Sequence, residues 1–227
     1  MQKGYSDFAG DDTLALEYVK GRGYASFSSL RNVRDKVEPS KMPTEYFTFG
    51  TELHSRFLED TVGELLSDRE EAKMAKMLSA LRANKLVRTL MATPGMKTEV
   101  QFKQDYLGLP MLGYIDIDAH DTKLKFLADL KSTHISKLPD FVKAMDFMQA
   151  ALYLKMRPKA QHFYYLGICK NPPYRVMTFD AVDYATRLRE ANIQLENTIN
   201  YVKEKTGLGT TAGNKAGKGR SRKTAKG

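Results

Sequence analysis

The amino-acid sequence predicts an α/β (α+β) fold in which helices flank a mixed central β-sheet. Apolar residues recur at the helical period of about 3.6 before Pro94 and alternate as in strands after it. A helical pattern then separates three consecutive strand patterns from two later ones. Because a helix between two strands allows a parallel crossover, we expect parallel and antiparallel pairs in one sheet.

The segment before Pro94 contains three helical patterns. The first, FSSLRNVR at 27–34, is short, and Ser28 is its candidate N-cap because a serine hydroxyl can accept an otherwise unpaired backbone N–H. The other two are FGTELHSRFLEDTVGELL at 49–66 and REEAKMAKMLSALRANKLVRTLM at 69–91. Both space their apolar residues as an amphipathic helix requires, so we expect each to pack one face inward.

Three strand patterns follow, at 97–106, 111–120 and 125–131, and together they predict an antiparallel meander. Pro139 then opens a helical pattern that runs to Met156, with an apolar stripe facing the sheet. Two more strand patterns, AQHFYYLGIC and YRVMTF, precede a final long helix from about Asp180 to Lys205. The predicted order is therefore helices, three strands, a helix, two strands and a helix.

Composition excludes several classes of protein and site. A chain of 227 residues with 42% hydrophobic content can form one domain with a substantial core. Its one cysteine, Cys169, excludes an internal disulfide and a four-cysteine zinc or iron–sulfur site within one chain. No apolar run approaches the roughly 20 residues of a membrane span, and the N-terminus lacks the pattern of a secretion signal. We expect a protein of the cytoplasm, in a bacterium or a phage-infected host, without a membrane partner.

The basic charge is concentrated at the C-terminus. The chain has a net charge of +9, and residues 206–227 contain six Lys or Arg and no acid. The remainder, with 30 basic against 27 acidic residues, has a net charge of only +3. Because residues 206–227 have almost no apolar bulk, we predict a disordered basic tail there and one folded domain over residues 1–205. The charge favours a polyanionic partner.

The strand pattern KFLADLKST, at 125–133, ends with an aspartate and a lysine on one face. The alternation of strand side chains puts Asp129 and Lys131 on the same side. If this strand pairs with the preceding one, Asp116 joins them at one end of the sheet. Two adjacent carboxylates repel each other unless one is protonated or a cation such as Mg²⁺ or Mn²⁺ binds. The pattern suits metal-dependent phosphodiester hydrolysis, and an ordinary surface ion pair is the alternative.

Five motifs resemble those of the PD-(D/E)XK nuclease superfamily, whose core order is α-β-β-β-α-β. GYIDID at 113–118 and DLK at 129–131 resemble its active-site strands. FGTELH at 49–54 resembles the helix that supplies a histidine in the RecB-like and RecE-like branches, and QAALY at 149–153 matches their Q-x-x-x-Y element. SFSSL at 26–30 resembles the start of the RecE-type exonuclease domain. The resemblance implies a restriction-endonuclease-like core of the RecE or lambda-exonuclease kind.

This resemblance implies a metal site and a catalytic lysine. The implied metal ligands are the side chains of His54, Asp116 and Asp129 and the backbone carbonyl of Leu130, with His54 binding through a neutral imidazole nitrogen. The implied metal is Mg²⁺, for which Mn²⁺ can substitute. Lys131 would position or activate the attacking water.

The resemblance also assigns Glu99, Gln149 and Tyr153 to the site. Glu99 falls where related exonucleases have an acid, and the alternative is a solvated residue on the polar face of a strand. Gln149 and Tyr153 share a helix face at i and i+4 and would contact the DNA backbone or the attacking water. For these two residues the alternative is packing, and for His54 it is a place beside a helix core.

The function that the resemblance implies is a Mg²⁺-dependent DNA exonuclease that acts from duplex ends in phage-type recombination. A ring-like homo-oligomer and a single-strand annealing protein are the partners that it implies besides DNA. Two alternatives remain open within the same fold. One is a structure-specific endonuclease or a nuclease module of a repair complex, and the other is a non-catalytic DNA-binding protein.

Overall fold

The computed structural model describes residues 12–36, 44–63 and 66–209. These ranges form eight α-helices, a short 3-10 helix at Ala181–Asp183 and one five-stranded sheet. The helices are α1 (Thr13–Arg22), α2 (Phe27–Asp35), α3 (Thr44–Leu58), α4 (Asp68–Ala83), α5 (Lys85–Met91), α6 (Leu138–Ala144), α7 (Phe147–Met156) and α8 (Ala185–Thr206). The strands are β1 (Lys97–Tyr106), β2 (Leu109–Ala119), β3 (Phe126–Thr133), β4 (His162–Cys169) and β5 (Val176–Asp180).

The sheet has the strand order β1-β2-β3-β4-β5. Neighbouring strands are antiparallel except β3 and β4, which are parallel. Helices α6 and α7 form the crossover that the parallel pair requires. The predicted fold class, a mixed central sheet flanked by helices, is confirmed.

Hydrophobic cores lie on both faces of the sheet. Residues of α1, α2, α7 and α8 pack against one face, and residues of α3, α4 and α5 pack against the other. In β3, Leu127 belongs to the first core, whereas Ala128 and Leu130 belong to the second. A strand covered on both faces is apolar along most of its length. Asp116 and Asp129 are buried carboxylates in this apolar setting.

Two of the predicted long helices are interrupted. The pattern at 139–156 forms α6 and α7, because the Asp146 side chain accepts a hydrogen bond of 3.1 Å from Met148 N and caps α7. The pattern at 69–91 forms α4 and α5, because Asn84 accepts one of 3.1 Å from Val87 N. Asp and Asn side chains offer backbone N–H groups an alternative to the helical carbonyl, so each starts a new helix.

The N-terminal half differs from the prediction at three further points. Helix α1 was not predicted. The N-cap of α2 is Ser26 rather than Ser28, since the Ser26 hydroxyl accepts a hydrogen bond from Ser29 N. The helix predicted over 49–66 ends at Leu58, where Asp60 adopts a left-handed φ of 53°.

The described part of the C-terminal segment ends shortly after α8. Gly207 closes α8 in a left-handed conformation, with a φ of 71°. Residues 210–227, most of the predicted basic tail, lie outside the described residues, and the predicted division at 205 remains a prediction. Among the helices described, none combines the length and apolarity needed to cross a membrane.

Candidate functional site

The candidate site lies where β1, β2 and β3 meet α3. The β2–β3 register pairs Ile117 with Ala128, so the next level of this ladder carries Asp116 and Asp129. Directly opposite residues on antiparallel strands have side chains close together. The sheet therefore brings together the two carboxylates that the sequence placed on neighbouring strands.

The backbone of β1 is irregular at the same level. Glu99 has a φ of 48°, in the left-handed region that side-chain-bearing residues rarely adopt. Ile115 and Ile117 pack into different cores, although residues two apart on a regular strand share a face. The change of face thus occurs at Asp116, across from Glu99. Such strained positions are concentrated at functional sites, which fits a site at this point of the sheet.

His54, on α3, links the strands to the helix above them. Its Nε2 lies 2.8 Å from the Leu130 carbonyl, and its Nδ1 lies 3.4 Å from Glu99 Oε1 and 3.5 Å from Asp116 Oδ2. Burial opposes the charge on the ring, but the Glu99 hydrogen bond and the nearby aspartates outweigh it and raise the pKa of His54 to about 9. The metal-free ring is therefore protonated at neutral pH. The neutral imidazole expected of a ligand requires the loss of a proton.

Asp116 is the carboxylate whose ionisation is most affected by the site. Its Oδ2 accepts a hydrogen bond of 2.7 Å from Leu130 N. Burial, and then the negative charge of Asp129, raise the pKa of Asp116 to about 7, although His54 and Lys131 act in the opposite direction. In the absence of a cation, Asp116 is thus partly protonated near neutral pH.

Asp129 is held from two sides and is only 1% exposed. Its Oδ1 accepts hydrogen bonds of 2.9 Å from Lys131 Nζ and 2.6 Å from Gln149 Nε2. Its Oδ2 lies 2.8 Å from Lys131 Nζ but receives no aligned hydrogen bond from the described residues. Burial works against the charge on Lys131, but Asp129 and Asp116 outweigh it and raise the pKa of Lys131. Lys131 is therefore an ammonium, and its side chain is 38% exposed.

Gln149 and Tyr153 lie beneath the site on α7. Gln149 is buried and connects Asp129 to the Tyr153 side chain. The Tyr153 ring packs edge-on against Phe102 at a centroid distance of 5.6 Å. Burial, followed by the charges of Asp129 and Asp116, raises the pKa of the Tyr153 hydroxyl, which stays neutral. Both predicted residues are thus near the carboxylates, with Gln149 in direct contact and Tyr153 also part of the core.

A group of three donors could hold a metal ion. One ligand atom each from His54, Glu99 and Asp116 lies within 4.8 Å of the other two. Glu99, which was predicted to be an acid near the site, belongs to this group. Asp129 does not belong to it and contacts Lys131 and Gln149 instead. Carboxylate oxygens with one imidazole suit Mg²⁺ or Mn²⁺. The predicted roles of the individual ligands remain predictions.

The site opens into a cleft of about 520 Å³. Its lining comprises Gly50, Thr51, His54, Ser55, Glu59, Glu99, Leu130, Lys131 and Ser132. Of these residues, Gly50, Thr51, Ser55, Glu59 and Ser132 are not among the predicted site residues. Gly50 and Thr51 precede His54 by one helical turn, so helical spacing within the FGTELH motif carried the signal. No such local signal marks Ser132.

Comparisons with known proteins support the fold. No protein-family model matches the chain, and no curated protein matches it. The crystal structure of a candidate exonuclease from Eubacterium rectale is 14% identical, with a TM-score of 0.58 over 91% of this chain and 88% of that chain. The structure of SSO0001 is 18% identical over 71% of this chain and 88% of that chain, and its TM-score is only 0.33. The chain thus shares its α/β fold with the Eubacterium rectale protein.

Proposed function

We propose that this protein is a metal-dependent deoxyribonuclease of the PD-(D/E)XK kind that degrades DNA from duplex ends. The observation that carries this proposal is the position of Lys131. Its ammonium lies in an open cleft beside the buried carboxylates of Asp116 and Asp129, where burial and then the charge of Asp129 raise the pKa of Asp116. A divalent cation would neutralise the carboxylates, and the phosphate of a phosphodiester substrate would pair with the ammonium.

The donor set fits a hard divalent cation. His54, Glu99 and Asp116 would hold Mg²⁺ or Mn²⁺, and a cation there would offset the burial and the charge of Asp129 that raise the pKa of Asp116. When bound, such an ion supplies Lewis-acid polarisation of the phosphoryl oxygen and a more acidic water. The resemblance adds Asp129 and the Leu130 carbonyl to this set.

The side chains of this protein orient the lysine and the substrate. Gln149 donates to Asp129, and Asp129 holds Lys131 by an ion pair, so the ammonium has a defined position in the cleft. Because the pKa of Lys131 is raised, the residue acts as a donor that positions water and stabilises charge on the phosphoryl oxygens. In the metal-free protein it is an ammonium rather than a base at neutral pH.

The proposal has four more specific elements: exonuclease action, a role in phage-type recombination, a ring-like homo-oligomer and a single-strand annealing partner. Two observations support exonuclease action. The sequence motifs resemble the RecE-type branch, and the Eubacterium rectale protein with this fold is described as a candidate exonuclease. The oligomer, the annealing partner and the recombination role depend on the sequence resemblance alone.

Incubation with end-labelled linear DNA and covalently closed circular DNA, with Mg²⁺ or with EDTA, tests the proposal. Linear DNA should be degraded only with Mg²⁺, and closed circles should survive. Asp129→Ala should lower the rate by several orders of magnitude, because it removes the carboxylate that holds Lys131. Nicking of closed circles would favour the endonuclease alternative. Binding without cleavage would favour the DNA-binding alternative.

A further inference from the structure

A second cationic group lies beside the cleft, outside the proposed metal site. Its centre is the ring of Phe49 on α3, which is buried. The ammonium of Lys73, on α4, lies 5.2 Å from the centroid of this ring, and the ammonium of Lys170, just after β4, lies 5.3 Å from it. Two consecutive helices and the distant end of β4 thus bring two lysines to one aromatic residue.

The lysine pair adjoins the end of β3 that carries Lys131. The backbone N–H of Lys170 donates to the Thr133 carbonyl at 2.7 Å. Thr133 is two residues beyond Lys131, a distance of roughly 7 Å along a strand. Phe49 immediately precedes Gly50, which lines the cleft together with Ser132. The backbone of Lys170 and the residue after Phe49 therefore adjoin the end of β3 that lines the cleft.

Neither lysine has a carboxylate partner within ion-pair distance in the part of the chain that the structure describes. Glu70, one turn before Lys73 on α4, accepts a hydrogen bond of 2.6 Å from the Ser67 hydroxyl and interacts with the charge of Lys73 from beyond ion-pair distance. Lys170 is half-buried, and burial, with a smaller contribution from the charge of Lys73, lowers its pKa. Because the two half-buried ammoniums repel each other, an anion that contacted both would stabilise them.

We propose that Lys73 and Lys170 form a subsite for a backbone phosphate of the DNA strand that occupies the cleft. The Phe49 ring restricts the positions of both ammoniums, and a phosphate has enough charged oxygens to accept hydrogen bonds from both. The inference rests on the proposed function and adds to it the place where the substrate strand leaves the metal site. The subsite binds a phosphate that is not hydrolysed, so it contributes to affinity and not to the chemical step.

Fluorescence anisotropy with a labelled duplex, in Ca²⁺ and at several salt concentrations, tests the subsite with the full-length chain. Lys73→Gln and Lys170→Gln should each weaken binding several-fold and reduce the slope of log affinity against log salt by about 1. With Mg²⁺, KM should rise while kcat changes by less than about twofold. Lys155→Gln is the matched control, because it removes an equal charge from α7, on the other face of the sheet.

The conservative variant Lys170→Arg should retain the wild-type salt slope, which separates loss of charge from loss of fold. Gln variants with a wild-type slope and a lowered melting temperature would overturn the subsite and make the group purely structural. A double variant that combines Lys73→Gln with Lys170→Gln gives a second check. If inorganic phosphate stabilises the wild type but not this double variant, while both bind DNA with equal affinity, the subsite for DNA would also be overturned. A wild type that binds DNA but does not cleave it would refute the proposed function, and the anisotropy would still decide the role of the lysine pair.

Discussion

At the residue scale, the site is governed by the ionisation of His54 and Asp116. Their pKa values rise to about 9 and about 7 in the folded, metal-free protein, from ordinary values of 6.5 and 3.8. A raised pKa contributes stability that is complete below the unfolded-state value and is lost as the pH rises through the folded-state value. These two residues therefore stabilise the metal-free protein at low pH and lose that effect between about pH 4 and about pH 9.

We expect the melting temperature in EDTA to fall from about pH 6 to about pH 9, and to fall less in His54→Gln, which lacks the titrating ring. Mg²⁺ must displace the proton of His54, so it should raise the melting temperature more at pH 9 than at pH 6. Thermal unfolding with and without Mg²⁺ measures both effects. A stabilisation by Mg²⁺ that does not change with pH would count against His54 as a ligand.

At the element scale, the break between α6 and α7 positions the site. Arg34 on α2 holds Asp146 with two hydrogen bonds, of 2.9 Å to Oδ1 and 2.7 Å to Oδ2. The Tyr165 hydroxyl donates to the Asp146 carbonyl at 2.7 Å. Asp146 starts α7 three residues before Gln149, so these contacts determine where Gln149 meets Asp129.

Arg34→Ala should therefore lower kcat several-fold with little change in KM, because it loosens the start of α7 without touching the cleft. It should also destabilise the protein by about 2 kcal/mol, less than a fully buried pair, since the Arg34 and Asp146 side chains are 15% and 21% exposed. Steady-state kinetics and urea unfolding give the two values. Asp35→Ala, which removes the more exposed partner of Arg34, is the control. Equal losses of kcat in both variants would show that Arg34 has no specific positioning role.

At the scale of the whole molecule, the proposed catalytic groups and the basic C-terminal segment lie in different parts of the chain. The carboxylates and Lys131 lie on strands covered by two cores, whereas the six cations of residues 206–227 follow α8. Truncation after Gly207 should weaken DNA binding and flatten its salt dependence by up to about six contacts, with kcat nearly unchanged. Anisotropy and kinetics on both chains measure this. Identical salt slopes would make the segment a solubilising extension only.

The sequence by itself predicted the features that depend on local periodicity. The alternation of apolar residues identified every strand of the sheet, and it placed Asp129 and Lys131 on one face. Adjacent strand patterns then brought Asp116 to the same level. Local patterns were less informative about helix ends, because the apolar stripe continues across Asn84 and Asp146, where the helices break.

The tertiary structure alone decided the contacts between distant segments and the charges that follow from them. The left-handed conformation of Glu99 and the raised pKa values of His54 and Asp116 depend on burial and on neighbours from other elements. The Lys73–Phe49–Lys170 group joins two helices to the end of β4, so no local pattern predicts it. Periodicity is a property of neighbouring residues, whereas a site is a property of packing, and for that reason the sequence supplied the candidates and the fold decided their partners.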